Sequence, residues 1–245
     1  MWNSISVIIP VYNGEESLEE LYNRLADNLK RLSQEYEIVL VDDGSSDNSY
    51  EKMKLLHQRD RRVKVIRLAG NFGQQNALFC GLHYTTGDYV VTMDDDLQHN
   101  PEDIEKLLLE LDKGYQVVYG IPLERKHPFY RQLGSKVTYY LFNRITTKPP
   151  GLKISSFRVI RRELVEKIIK EQTSFVYISA IIFRYTSQVG NVTISHASRK
   201  HGESNYNFRK LLKTFLKIYI YYSNSRLLKF FASAGPTYII KDSRL

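Results

Sequence analysis

Over residues 1–120 the chain alternates short β-branched apolar runs with stretches that carry apolar residues at helical spacing. ISVIIPVY (5–12) reads as a strand buried on both faces, and SLEELYNRLADNLKRL (17–32) as an amphipathic helix. YEIVLVDDGS (36–45) is a second strand, and Asp47 caps a helix running to about Gln58. VKVIRLA (63–69), DYVVTM (88–93) and YQVVYG (115–120) are three more strands. Between them lie the turn Gly70-Asn71-Phe72-Gly73, the helix QQNALFCGLHY, and the helix PEDIEKLLLELDKG (101–114). Buried strands alternating with helices predict an α/β fold: a mainly parallel sheet flanked by helices on both faces.

Such sheets bind ligands at the carboxyl ends of their strands. Here those ends read Pro10-Val11-Tyr12-Asn13, Asp42-Asp43-Gly44-Ser45, Gly70-Asn71-Phe72-Gly73 and Asp94-Asp95-Asp96. Polar and acidic groups therefore gather along one edge.

Three adjacent carboxylates at the end of a buried strand repel one another and lose hydration. A cation relieves both costs, and oxygen ligands suit Mg²⁺ or Mn²⁺. In an extended segment Asp94 and Asp96 share a side, and Gln98 continues the alternation with a neutral oxygen. Such a site binds a metal weakly unless phosphates complete it.

The balance of charge agrees with an anionic partner. Net charge is +8 and the sequence pI is about 9.3. Nucleotide, anionic membrane and nucleic acid all fit the charge alone, but acids along the sheet edge oppose nucleic acid. A hydrophobic content of 42% supports a packed core and excludes overall disorder. The single cysteine, Cys80, sits in an apolar helix and reads as a buried hydrophobe. The N-terminus lacks the basic start and long apolar run of a signal peptide. No stretch reaches the ~18 apolar residues of a membrane span.

After Gly120 the regularity ends. Residues 121–136 are basic and carry two prolines, as a loop running into a helix. FRVIRRELVEKIIKEQ reads as a short strand and a helix, FVYISAIIFRYTS as a buried helix, and NVTISHASRK (191–200) as a strand. FRKLLKTFLKIYIYY (208–222) places Arg209, Lys210, Lys213 and Lys217 within one arc of a helix, opposite Leu211, Leu212, Phe215, Ile218 and Tyr219. That pattern is a basic amphipathic helix suited either to a membrane surface or to packing on the domain with a solvated basic face. Residues 1–205 thus read as the catalytic unit and 206–245 as amphipathic juxtamembrane helices and a tail. The last segment carries no clear pattern.

PVYNGEESL, VLVDDGSSDNS, NFGQQNAL, TGDYVVTMDDDLQHNPEDI and RKHGESNYNF occur in one order. Together they resemble a family-2 glycosyltransferase of GT-A fold, in its polyprenyl-phosphate glycosyltransferase branch. The resemblance spans roughly residues 4 to 222. It implies an inverting, metal-dependent transfer of sugar from a UDP-, GDP- or dTDP-sugar to a polyprenyl phosphate. It places Pro10, Tyr12, Glu15, Asp42 and Asp43 near the nucleoside, with Asn71, Gly73 and Ser156 also lining the donor site. It gives Asp94 and Asp95 to the donor and metal, and Asp94, Asp96 and Gln98 to the metal itself. Arg125, Arg131 and Arg199 match the family's basic positions, which would bring two anions together. Arg158 falls near the sugar pocket of relatives or makes a structural ion pair. A phosphate acceptor is anionic at neutral pH, so this chemistry needs no strong general base.

The chain departs from the pattern at several positions. An acid often follows Tyr-Asn in relatives, whereas here Gly14 stands there with Glu15 next. The middle acid, Asp95, is commonly alanine. Asn205 replaces a lysine, and an arginine common after the fifth strand falls near Pro122. Many relatives continue into membrane spans. ASAGPTYIIKDSRL is too short and polar to be one, which leaves a span-free form, a shortened product, or a subunit with a separate membrane-anchoring partner. The expected location is peripheral, on the cytoplasmic face of the membrane. Two alternatives within the fold are a saccharide acceptor, which would need a carboxylate base, and an inactive sugar-nucleotide-binding module. A nucleotidyltransferase would open with a glycine-rich loop after the first strand, and PVYNGEES is not one.

Overall fold

Strand β1 (Trp2–Val11) takes a central place in an eight-stranded sheet because it is apolar on both faces. The computed structural model describes residues 1–123, 149–195, 217, 220–222 and 237–245. The other strands are β2 (Ser33–Asp42), β3 (Val63–Leu68), β4 (Tyr89–Thr92), β5 (Val117–Pro122), β6 (Arg158–Arg161), β7 (Val189–Ile194) and β8 (Ile240–Arg244). Their order across the sheet is β7-β5-β6-β4-β1-β2-β3-β8. β6 and β8 run antiparallel to their neighbours, and the other ladders are parallel. This is the expected mainly parallel α/β sheet.

Side-chain alternation divides the core into two layers. Ile5, Val7 and Ile9 face α1 (Leu18–Leu32) through Leu21, Leu25 and Leu29, in a layer shared with α2 (Ser49–Arg59) and α4 (Ile104–Leu111). Ile8, Val39 and Val41 face α3 (Gln74–Leu82), in a layer shared with α5 (Arg162–Ile169) and α6 (Ile178–Tyr185). Helix α3 lies close on the sheet: a Cβ at Gly81 would stand 2.5 Å from Ile8 Cγ2. Cys80 is buried in this layer, and burial pushes its thiol up to about 12, as befits an inert packing residue.

Most element bounds differ from the sequence reading by one to three residues. The helix predicted over 101–114 opens with a 3-10 turn at Pro101–Asp103 and ends at Leu111. Asp47 acts one residue ahead of the cap position: its Oδ1 accepts the Ser49 amide (3.0 Å), and Asn48 occupies the cap. The last segment supplies β8, which the sequence does not announce because Lys241, Asp242, Ser243 and Arg244 interrupt any apolar run. Most of the amphipathic stretch 208–222 lies outside the described residues. Its end is anchored: the buried Tyr222 hydroxyl accepts the Tyr177 amide (3.0 Å) and donates to the Phe175 carbonyl (2.8 Å). Among the described residues no helix is long and apolar enough to cross a membrane.

Candidate active site

β1, β2 and β3 wind to one side, whereas β4 enters on the other side of β1. The carboxyl ends of β1 and β4 therefore flank a switch point, the place where open α/β sheets form a crevice. Pro10 helps to keep it open. The β1–β4 register ends at Ile8↔Thr92, followed by a bond from the Met93 amide to the Ile8 carbonyl (3.2 Å). By the two-residue repeat Pro10 addresses the same side as Ile8, and proline has no N–H to extend the ladder.

One wall consists of the loops after β1, β2 and β3. The Ser45 amide donates to Asp42 Oδ1 (3.0 Å), and Arg67 Nε lies 3.2 Å from Asp42 Oδ2. Asp42 is 0% exposed. Asp43 accepts the amides of Phe72 (2.7 Å) and Gly73 (2.8 Å), which ties the third loop to the second. Burial raises the Asp43 pKa, with Asp42 adding to the rise and the two amides opposing it. Gly44 and Gly73 adopt φ of 75° and 90°, and a Cβ on Gly44 would come within 2.5 Å of the Gly70 carbonyl carbon. The first loop is stitched to the second as well. The Asn13 and Gly14 amides donate to the hydroxyls of Ser45 (3.0 Å) and Ser49 (2.9 Å). The Glu15 amide donates to Asp47 Oδ2 (3.2 Å), and Glu15 Oε2 accepts the Asn48 amide (2.8 Å). Tyr12, by contrast, is 51% exposed.

The other wall is the end of β4. Regular strand stops at Thr92, and the backbone bends at residues 95–97, with Leu97 at φ 59° and its side chain buried. The extended alternation expected to place Asp94, Asp96 and Gln98 on one side is therefore absent. A turn gathers the acids instead. Asp94 accepts the Ser156 hydroxyl at Oδ2 (2.7 Å) and the Gln74 amide group at Oδ1. The Gln98 amide donates to Asp96 Oδ1 (3.1 Å). Asp95 packs under the first loop, where a Cβ on Gly14 would stand 2.3 Å from its Oδ2. That buried oxygen has no hydrogen-bond partner among the described residues. Burial, then Asp94, then Asp96 push the Asp95 pKa up to about 7. Burial also raises Asp94, with Asp96 adding to the rise and the Ser156 hydroxyl opposing it.

The structure thus brings Pro10, Tyr12, Glu15, Asp42, Asp43, Gly73, Asp94, Asp95, Asp96, Gln98 and Ser156 to one end of the sheet. Asn71 lies exposed in the loop joining β3 to α3. The Glu15 carboxylate is spent on loop structure. Arg125, Arg131 and Arg199 lie outside the described residues. Arg158 is 1% exposed, and its Nε and Nη1 donate to Thr92 Oγ1 (3.2 Å) and Ser179 Oγ (2.9 Å). Thr92 Oγ1 in turn donates to the Ser156 carbonyl (2.6 Å), so Arg158 buttresses the segment that holds Asp94. Gln74 and Arg67, both in contact with site carboxylates, are absent from the sequence reading. Gln74 lies in NFGQQNAL, a motif legible as a turn, whereas Arg67 carries no motif at all.

Among the described residues no three His, Cys, Asp or Glu side chains form a metal-holding group by themselves. The crowded carboxylates and the unsatisfied Asp95 oxygen nevertheless fit a cation whose coordination another molecule completes.

Solved structures of glucosyl-3-phosphoglycerate synthase from Mycobacterium tuberculosis share this architecture. The complex with Mn²⁺, uridine diphosphate and phosphoglyceric acid has a TM-score of 0.65 at 18% identity, over 89% of this chain and 76% of that one. The complex with uridine diphosphate alone has a TM-score of 0.63 at 19% identity, over 88% and 79%. The likeness identifies the fold as GT-A. The model of "Glycosyl transferase family 2" matches residues 6–169, a span that runs from β1 through both acidic strand ends and Ser156 to the end of α5. By this match over more than half of its length, the chain belongs to glycosyl transferase family 2, and it is a glycosyltransferase.

Proposed function

We propose that the protein moves a sugar from a nucleotide-sugar to a polyprenyl phosphate, inverting the anomeric centre. The observation that carries the donor half is the switch point between β1 and β4, where Tyr12 is exposed after β1 and three adjacent carboxylates crowd the end of β4. Pro10, Tyr12 and the loop tied down by Asp42 and Asp43 cradle the nucleoside, with Tyr12 as the stacking face. Asp94, Asp96 and Gln98 hold Mg²⁺ or Mn²⁺, which when bound offsets the charge that develops on the departing diphosphate. Ser156 and Gln74 fix the Asp94 carboxylate so that it need not reorganise when donor arrives.

The acceptor half rests on the order of motifs through RKHGESNYNF and on the basic stretch that follows. A lipid phosphate brings its own nucleophilic oxygen, and Arg125, Arg131 and Arg199 supply the cations that let it approach a second anion. Residues 1–205 carry the chemistry, and 206–245 bring it to the cytoplasmic membrane surface. Tyr222 docks the end of the amphipathic stretch on the domain, and the exposed Lys217 lies with its ammonium 5.6 Å from the Phe175 ring centroid.

Mass spectrometry of products tests the reading. The protein is mixed with Mn²⁺ or Mg²⁺, a panel of UDP-, GDP- and dTDP-sugars, and a short polyprenyl phosphate. A polyprenyl-phosphate sugar is expected. UDP-sugars come first because the similar synthase is held in complexes with uridine diphosphate and uridine-diphosphate-glucose. Those complexes also contain phosphoglyceric acid, so a small phosphorylated acceptor is the second reading. Product on phosphoglycerate and none on lipid would overturn the first.

A further inference from the structure

The C-terminal strand reaches the donor wall through a short relay of side chains. β8 pairs antiparallel with β3, with Arg67 opposite Asp242. The Tyr50 hydroxyl, from the first turn of α2, donates to Asp242 Oδ2 (2.5 Å). The Arg67 guanidinium lies over the Tyr50 ring, 4.6 Å from its centroid, and its Nε is 3.2 Å from Asp42 Oδ2. Asp42 holds the Ser45 amide and is fully buried. One residue beyond the ladder, the Ala69 amide donates to the Ile239 carbonyl (2.8 Å). β8 therefore also braces the chain leading into the Gly70–Gly73 turn, whose end is bound by Asp43.

A buried carboxylate needs its cation in place, since an unpaired charge at 0% exposure is costly. Arg67 is about one-third exposed, so water competes for it unless something restrains it. The Tyr50 ring beneath its plane supplies that restraint, and Asp242 holds the Tyr50 hydroxyl in place. We propose that Arg67 is a positioning residue for the donor site, and that β8 holds it there through Asp242 and Tyr50. The C-terminal strand is then part of the nucleotide-binding wall, although it lies within the 206–245 stretch assigned above to the membrane surface. This rests on the donor reading given above.

Two measurements on the full chain separate the two claims. The first is amide hydrogen exchange over residues 42–49 and 70–73, which needs no ligand. The second is uridine diphosphate affinity in Mn²⁺, read by calorimetry. The variants are Arg67→Ala, Arg67→Lys, Tyr50→Phe and Asp242→Asn. Tyr50→Phe keeps the ring and loses only the bond to β8, so it guards against misfolding. Arg67→Ala is expected to speed exchange in both loops and weaken nucleotide binding about tenfold, the scale of one lost charge-assisted contact. Arg67→Lys should restore part of this, and Tyr50→Phe and Asp242→Asn should each weaken binding about threefold. Unchanged exchange in Arg67→Ala overturns the inference whatever the nucleotide does. Faster exchange with unchanged affinity overturns its donor-site half. Faster exchange in a protein whose wild type binds no nucleotide defeats the donor reading but upholds the relay from β8 to Asp42.

Discussion

The two walls of the crevice are both acidic, yet they are built in opposite ways. On the β2 side each carboxylate has partners of its own: Asp42 has Arg67 and the Ser45 amide, Asp43 has two amides, and Asp47 has the Ser49 and Glu15 amides. On the β4 side Asp94, Asp95 and Asp96 crowd one turn, and an oxygen of Asp95 lacks any partner among the described residues. In the first wall Asp42 Oδ2 accepts no hydrogen bond among the described residues, but the Arg67 guanidinium stands 3.2 Å from it as a counter-charge. The second stores electrostatic repulsion that an incoming cation relieves. A site with one wall whose buried charge is countered and one whose like charges are crowded holds its shape while keeping a reason to bind metal.

The sharpest way to break this comparison is Asp96→Ala. Transfer is expected to fall about a thousandfold or more, with the melting temperature unchanged or raised because a like charge is gone. Normal turnover by this variant would remove Asp96 from the metal site. Asp43→Ala attacks the first wall. It strands the half-buried Phe72 and Gly73 amides and should cost about 1–3 kcal/mol in urea unfolding. An equal loss from Asp95→Ala would erase the contrast between the walls.

Gly14→Ala joins the two. Its new methyl would meet Asp95 Oδ2, so a loss of about 1–3 kcal/mol is expected, largely restored in the Gly14→Ala/Asp95→Ala double variant. Strict additivity of the two changes would show that the loop and the acid do not press on each other. A further test is pH dependence. The folded Asp95 pKa of about 7 lies above its unfolded value of about 3.9, so the native state holds more protons between those limits. Asp95 therefore lowers stability as pH rises from about 4 to about 7, and the penalty is fully present above that window. Denaturation curves of Asp95→Asn across this range should decline less steeply than those of wild type.

The sheet was legible because apolar strands and amphipathic helices alternate without ambiguity through residue 120. β8 was not, since a polar edge strand is held by register and by Tyr50 rather than by an apolar run. The acids announced the site, and their type sufficed to suggest a metal. Their arrangement was hidden, because a positive φ at Leu97 breaks the two-residue repeat that sequence reasoning assumes. Gln74 and Arg67 escaped for a similar reason: each acts on an acid more than 19 residues away, and nothing local marks the pairing. The departures at Gly14 and Asp95 look unrelated along the chain. In space they are one feature, a missing side chain whose room is taken by an extra carboxyl.

Pro10 carries a last consequence. Two neighbouring parallel strands tend to zip as far as their backbones allow, and any gap between them must be held against that tendency. A ring without an amide hydrogen removes one tooth of the zipper at the position where β1 and β4 part. The slot is thus written into the covalent chain and set during folding. A ligand arriving there finds the strands already apart, and none of its binding energy goes into separating them.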